Sequence, residues 1–169
     1  MKIYVGADHA GFELKEYLAA FLKKEGYEVI DKGAYEYEAD DDYPDFVAPV
    51  AHAVSMDPKK AVGIILGGSG QGEAMVANRF PNVRAIVFNG QYKPKDGRKV
   101  PHEIVIARKH NDANILSLGA RFLDHKDAKA AVKLWLKTPF SGEVRHKRRI
   151  DKIDSLDIHA QKKIEKIGK

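Results

Sequence analysis

The run AVGIILGGSGQGEAMVA, residues 61–77, decides the fold. Its first six residues, Ala61–Leu66, are wholly apolar, as expected of a strand covered on both faces. Four glycines then fall within six positions, Gly67-Gly68-Ser69-Gly70-Gln71-Gly72, and a short helix is predicted from Glu73. A buried strand that passes through a glycine loop into a helix is the building unit of a parallel α/β sheet.

The same alternation continues on both sides of this run. Lys2–Gly6 reads as a strand, and Leu14, Tyr17, Leu18, Phe21 and Leu22 follow at the spacing of one helix face, stopped at Gly26. Tyr27–Asp31 is the next strand, and an acidic loop ends at Pro44. Val47, Val50, Ala51 and Val54 return to helical spacing. Beyond the glycine loop, Arg84–Phe88 and Asn114–Leu118 read as strands, while Ala128, Val132, Trp135 and Leu136 mark a helix. Five strands separated by helices predict an α/β domain over residues 1–141 with a mainly parallel sheet, whose ligands bind beyond the strands' carboxyl ends. Residues 142–169 form a C-terminal helical extension in which Ile150, Ile153, Leu156 and Ile164 make an apolar stripe. That stripe can cover the chain's own domain or a partner subunit.

Composition narrows the function. With 169 residues, 44% hydrophobic and 31% charged, the chain can bury a core without staples. The absence of cysteine excludes disulfides, a thiol nucleophile and cysteine-held metals. Met1 runs directly into the first strand and no apolar stretch approaches a membrane span, so neither a signal peptide nor a membrane contact is expected, and the location is expected to be cytoplasmic. Of the net charge of +5, +4 lies from Glu143 to Lys169, where nine bases mix with five acids and no aromatic residue. That mixture argues against a nucleic-acid platform and leaves an acidic small ligand as a reason for the bases.

Several residues following strands can carry chemistry. The glycine loop lets backbone N–H groups crowd around an oxygen anion, although a tight turn alone also uses glycine. It is neither a Walker loop nor a dinucleotide fingerprint: no Lys-Ser/Thr follows it, and it comes after the third strand with different spacing. Glu73 either satisfies a helix start or acts as a general base beside an oxyanion pocket. Asp8-His9, after the first strand, reads as a helix cap or as a polar pair in the ligand crevice. His110, ahead of the fifth strand, is either a solvated loop histidine or a proton shuttle. Arg145 and Arg149 share a helix face and Arg121 follows the fifth strand, a set suited to phosphate. No metal-ligating spacing is present among the seven histidines.

Taken together, Gly6-Ala7-Asp8-His9-Ala10-Gly11, Gly68-Ser69-Gly70-Gln71-Gly72-Glu73 with Ala77-Asn78-Arg79, Ala107-Arg108-Lys109-His110-Asn111-Asp112-Ala113-Asn114 and Arg145-His146-Lys147-Arg148-Arg149-Ile150 resemble the RpiB/LacAB sugar-phosphate isomerases over roughly residues 1–155. The resemblance implies a Rossmann-like three-layer sandwich on a five-stranded parallel sheet. It also implies a homodimer with shared active sites, paired into tetramers in some members. The implied reaction is cofactor-free and metal-free aldose–ketose isomerisation of a phosphorylated sugar through a cis-enediol(ate), with ribose 5-phosphate and ribulose 5-phosphate as the expected pair. By the same resemblance Asp8 and His9 contact the sugar, and Ser69, Gly70, Gln71 and Gly72 form the anion pocket. His110 assists ring opening, Asn111 orients the sugar, and Arg121, Arg145 and Arg149 hold the phosphate. Many members carry a cysteine base where this chain has Gly67. The chain is similar to a branch that uses a glutamate just after the glycine loop, the place of Glu73. The connection from Asn89 to His102 looks longer than is usual in the family. A six-carbon aldose 6-phosphate substrate, of the allose or galactose type, therefore stands as an alternative, as does a catalytically silent sugar-phosphate binding protein.

Overall fold

Apolar runs this short are buried on both faces only if helices cover both sides of the sheet they form, and the chain is built that way. The computed structural model describes residues 1–167, with side chains described through residue 156. The strands are β1 (Lys2–Ala7), β2 (Glu28–Asp31), β3 (Ala61–Gly67), β4 (Ala85–Phe88) and β5 (Ile115–Gly119), in the order β2-β1-β3-β5-β4. Every neighbouring pair is parallel. The helices are α1 (Phe12–Lys24), α2 (Tyr43–Met56), α3 (Gln71–Ala77), α4 (Glu103–Asn111), α5 (His125–Lys137) and α6 (Val144–Ile167).

Strand alternation divides the core into two apolar layers. Ile64 and Leu66 of β3 and Leu116 and Leu118 of β5 pack with Leu14, Leu18 and Leu22 of α1, Ile104 of α4, and Val132 and Trp135 of α5. Ile65 and Ile115, one position out of phase, pack with Val47, Val50, Ala51 and Val54 of α2 and Ala77 of α3. The result is a three-layer α/β sandwich. The order in which strands are added reverses between β1 and β3, so the carboxyl ends of those two parallel strands flank the crevice where such sheets bind ligands.

The expected strands are all present, within one residue at each end. The helix starts differ more. α1 opens at Phe12 with Gly11 as its cap, beyond the Asp8-His9 cap that the sequence offers, and α3 opens two residues ahead of Glu73. α4 lies inside what the sequence presents as a long connection. It buries only Ile104 and Ala107 on the core face and ends in Arg108-Lys109-His110, so its periodicity is too faint to stand out from the basic loop before it. His110 therefore sits in the last turn of a helix, not in a loop. The extension forms α6. His146 is buried and Ile150 half-buried, whereas Val144, Ile153 and Leu156 are exposed; the side chain of Ile164 lies outside the described residues. Among the described residues no helix is long and apolar enough to cross a membrane.

One buried charge ties α1 to the rim of the crevice. The Lys15 ammonium is fully buried and donates to Asp31 Oδ2 at 2.7 Å and to the Ala34 carbonyl at 2.6 Å, with Glu16 Oε1 at 2.8 Å. The Ala34 N–H in turn donates to the Ala7 carbonyl at the end of β1. Asp31→Asn removes the better-shielded counter-charge and is expected to lower the unfolding free energy by about 1–3 kcal/mol in a denaturant titration. An unchanged midpoint would show that Glu16 alone balances the ammonium.

Candidate active site

The glycines of the 67–72 loop leave room for different neighbours or allow a backbone turn. A Cβ on Gly67 would overlap the Glu73 carboxylate, and one on Gly68 would stand 3.2 Å from the Arg121 guanidinium carbon. Gly70 has φ +74°, the left-handed conformation that favours glycine. A Cβ on Gly72 would lie 2.8 Å from the ring of Tyr43. The loop is pinned from behind. The Ala120 and Arg121 N–H groups donate to the carbonyls of Gly67 and Gly68, Ser117 Oγ donates to the Gly70 carbonyl at 2.6 Å, and Asn89 Nδ2 donates to the Ser69 carbonyl at 3.0 Å. With its carbonyls held this way, the loop and the first turn of α3 present N–H groups that have no intrahelical acceptor.

The Glu73 carboxylate fills the space that the missing Gly67 side chain leaves at the end of β3. The residue is only 4% exposed. Burial pushes its carboxyl above the usual carboxylate value and nearby Asp8 adds to the rise, while a hydrogen bond from its own backbone opposes both. The sequence sets helix polarity, which favours the ion, against burial, which favours the acid; in the folded chain burial prevails. Asp8 is itself buried, and its Oδ1 accepts from the Gly11 N–H at 3.1 Å, bracing the turn ahead of α1.

His9, next along, is held by an acid 32 residues away. Asp41 Oδ1 accepts from the His9 backbone N–H at 2.9 Å and lies 2.7 Å from His9 Nδ1. That bond is the main reason His9 holds its proton more tightly than an ordinary histidine. Burial works against it, Asp8 and the Asp41 charge work with it, and Arg121 works against it. The influence of Arg121 on His9 and its packing on Gly68 place its guanidinium in the same crevice. Asp8, His9 and Asp41 offer atoms within 4.8 Å of one another, the spacing of a cation site. Here, however, His9 Nδ1 and Asp41 Oδ1 are bonded to each other.

The structure thus gathers Asp8, His9, Ser69, Gly70, Gln71, Gly72, Glu73 and Arg121 at one end of the sheet. It does not bring His110, Asn111, Arg145 or Arg149 there. His110 closes α4 just ahead of β5, so it lies at the amino end of the sheet, roughly 20 Å away along β3. Its ring lies 4.3 Å from that of His146, whose burial lowers its affinity for a proton. The Asn111 carbonyl accepts from Arg84 Nε. Arg145 and Arg149 are exposed on the first turns of α6, with Arg145 Nε 2.8 Å from Glu143. Three residues of the crevice do not stand out in the sequence: Asp41, Tyr43 over Gly72, and Asn89, which joins Ser69 to the Gly119 N–H. Only the density of acids ahead of Pro44 hints at the first.

Known proteins agree with this architecture. A family profile described as Ribose/Galactose Isomerase matches residues 3–153. Ribose-5-phosphate isomerase B of Mycobacterium tuberculosis is 42% identical over 152 residues, covering 89% of this chain and 86% of that protein. Ribose-5-phosphate isomerase B of Clostridium thermocellum superposes with a TM-score of 0.83 at 41% identity, covering 95% of this chain and 99% of that one. Ribose-5-phosphate isomerase B of Mycoplasma genitalium, solved with bound ribulose-5-phosphate, does so with a TM-score of 0.83 at 35% identity, covering 92% and 95%. The chain belongs to the ribose/galactose isomerase family.

The upward shift at Glu73 has a consequence for stability. A carboxyl whose affinity for a proton is higher in the folded than in the unfolded chain costs nothing while both states are protonated. It destabilises the fold as pH rises above the unfolded value, near 4.5. Glu73→Gln removes that cost. Its melting temperature is expected to exceed that of the parent at pH 7.5 and to match it below pH 4, in calorimetric scans across that range.

Proposed function

We propose that this chain is an aldose–ketose isomerase that interconverts ribose 5-phosphate and ribulose 5-phosphate as a cytoplasmic homodimer, without a cofactor or metal ion. The observation that carries the reading is the buried Glu73 carboxylate, set beside a glycine loop in the crevice between β1 and β3. Membership of the family, and the names borne by relatives at 35–42% identity, support the choice of substrate.

In the open-chain aldose, Glu73 takes the C2 proton. The C2–H electron pair forms a C1=C2 double bond, and the carbonyl pair moves to O1. The N–H groups of Ser69 to Gly72 meet that oxygen as its charge develops. Glu73 then returns the proton to C1 as the O2–H proton passes to the anionic O1, and the electron pair left on O2 makes it the carbonyl of the ketose. Burial favours this arrangement, because a base with raised proton affinity matches a weak carbon acid better than an ordinary carboxylate does. Asp8 and His9 contact the sugar, and Arg121 stands ready for the phosphate.

The groups at the amino end of the sheet enter from a second copy of the chain. One chain cannot bring His110, Asn111, Arg145 and Arg149 to Glu73. The exposed apolar residues Ile153 and Leu156 on α6 give a second copy a surface to cover. Residues 142–169 then serve as an arm that carries Arg145 and Arg149 to the neighbour's crevice. There His110 opens the sugar ring and Asn111 orients it.

A six-carbon aldose phosphate remains a second reading for one reason. The extended connection from Asn89 to His102 starts at the side chain that joins Ser69 to Gly119, inside the crevice. Assaying ribose 5-phosphate beside allose 6-phosphate and galactose 6-phosphate decides between them, and no turnover of any would favour a silent binding protein.

Glu73→Gln keeps the shape and loses the base, so kcat is expected to fall about 10²–10⁴-fold with sugar-phosphate binding retained. Exchange of the C2 proton with solvent should fall in parallel. Near-normal turnover would transfer the role to Asp8. Sharing between copies has its own test. Equal amounts of Glu73→Gln and His110→Asn chains, unfolded together and refolded, should recover about a quarter of parental activity, because half of the dimers are mixed and each holds one intact site. No recovery would place each site within a single chain.

A further inference from the structure

We propose that Asp41 is a positioning residue of this site: it holds His9 by the backbone N–H and by Nδ1, and so keeps an Nε2–H donor turned to the anionic oxygens of the substrate. The proposal rests on the functional reading above in taking His9 as a substrate contact. Asp41 itself touches neither the glycine loop nor Glu73.

The geometry is specific. One carboxylate oxygen takes both bonds, at 2.9 and 2.7 Å, which fixes the ring's torsion as well as the nitrogen that faces the acid. With Nδ1 committed to Asp41, Nε2 on the far side of the ring is the atom left for a ligand. The Asp41 side chain is only 6% exposed, and its Oδ2 is buried without a hydrogen-bond partner among the described residues. A carboxylate so enclosed is tolerable as an ion chiefly because His9 supplies the opposing charge.

Other charges around His9 define what the pair does. Asp8 precedes it in the chain, Arg121 approaches from the segment after β5, and the Tyr37 ring meets it edge-on at 6.4 Å. Against the Asp41 bond, burial and then, most weakly, repulsion from Arg121 loosen the proton on His9. Asp41 offsets that repulsion, so two cationic donors can stand side by side. A neighbouring pair of this kind suits a phosphate dianion, which needs charge-assisted donors from more than one direction. Without Asp41 the imidazole would lose its proton as pH rises and would offer a lone pair where a donor is needed.

The test uses Asp41→Asn in the full chain. The amide oxygen can still accept from His9 while the charge is gone. The His9 imidazole, assigned by loss of its signals in His9→Gln, is followed by NMR from pH 5 to 9 without substrate. Its midpoint should fall by about one pH unit in the variant. The ratio of variant to parental KM should rise about tenfold between pH 6 and pH 8, with kcat within about twofold of the parent. Taking the ratio at each pH cancels the titration of the substrate phosphate itself. An unmoved midpoint, a KM ratio flat with pH, or a loss confined to kcat would each overturn the proposal. Should Asp41→Asn fail to fold, the parental chain still decides. Nitrogen shifts at high pH must show the neutral His9 protonated on Nδ1, and protonation on Nε2 instead would overturn it. The NMR readings need no turnover, so an inactive parent would refute the isomerase reading and leave the Asp41–His9 coupling to be judged separately.

Discussion

A carboxylate packed against a glycine organises this molecule. Glu73 reaches back from the first turn of α3 to the end of β3, where any side chain on Gly67 would strike it. The close approach requires α3 to start directly under the strand, so the left-handed turn at Gly70 must reverse the chain within a few residues. It also requires the neighbouring strand to hold the loop still. Ser117 of β5 and Asn89 after β4 do this by bonding the carbonyls of Gly70 and Ser69. The strand order that puts β5 beside β3, and β4 beyond it, is thus part of the support of this carboxylate as well as of the core.

Placing the acid there has an electrostatic cost that the surrounding residues do not relieve. Among the described residues no arginine or lysine contributes to holding Glu73 ionised; the neighbouring charge that shifts its carboxyl is Asp8, which has the same sign. In a merely structural carboxylate this would be a defect, since buried acids are ordinarily paired. In the proposed reaction it is useful, because strain carried by the ion is released when it takes a proton from carbon. The stability lost at neutral pH and the basicity gained in catalysis are two effects of one burial.

The sheet is legible in the sequence because a wholly apolar run as short as Ala61–Leu66 fits little besides a strand covered on both faces, and the glycine loop is legible by density alone. Why each glycine is there is not legible. Arg121, Tyr43 and Glu73, the neighbours that crowd Gly68, Gly72 and Gly67, come from three different elements, and only folding brings them together. Asp41 is hidden for the same reason. It sits in an acidic run where every residue looks solvated, and its partner lies 32 positions earlier. α4 escapes notice because a short helix with two core residues gives almost no periodic signal. The split of His110 from the crevice is in part legible, since a residue ahead of a strand in a parallel sheet lies at the amino end, whereas where α6 carries Arg145 and Arg149 depends on packing that the sequence does not display.

Across the crevice the charges are graded. At one end, burial and Asp8 favour protonation of Glu73; at the other, Asp41 favours protonation of His9 beside Arg121. In the proposed reaction, a sugar phosphate with its phosphate toward His9 and Arg121 lays its carbon chain toward Glu73, and the reverse orientation would set the dianion against the buried Glu73 carboxyl. On that reading the two cations favour one orientation before any hydroxyl is recognised. In the proposed reaction a seated phosphate would add its negative charge to that of Asp8 in opposing the Glu73 ion. The sugar also excludes water from above the carboxylate. Both effects act in the same direction and raise the proton affinity of Glu73 at the moment the C2 proton comes within reach. Substrate binding would in this way strengthen the base that acts on it, and a phosphate-free sugar, lacking the group that sets the orientation, would lose turnover as well as affinity.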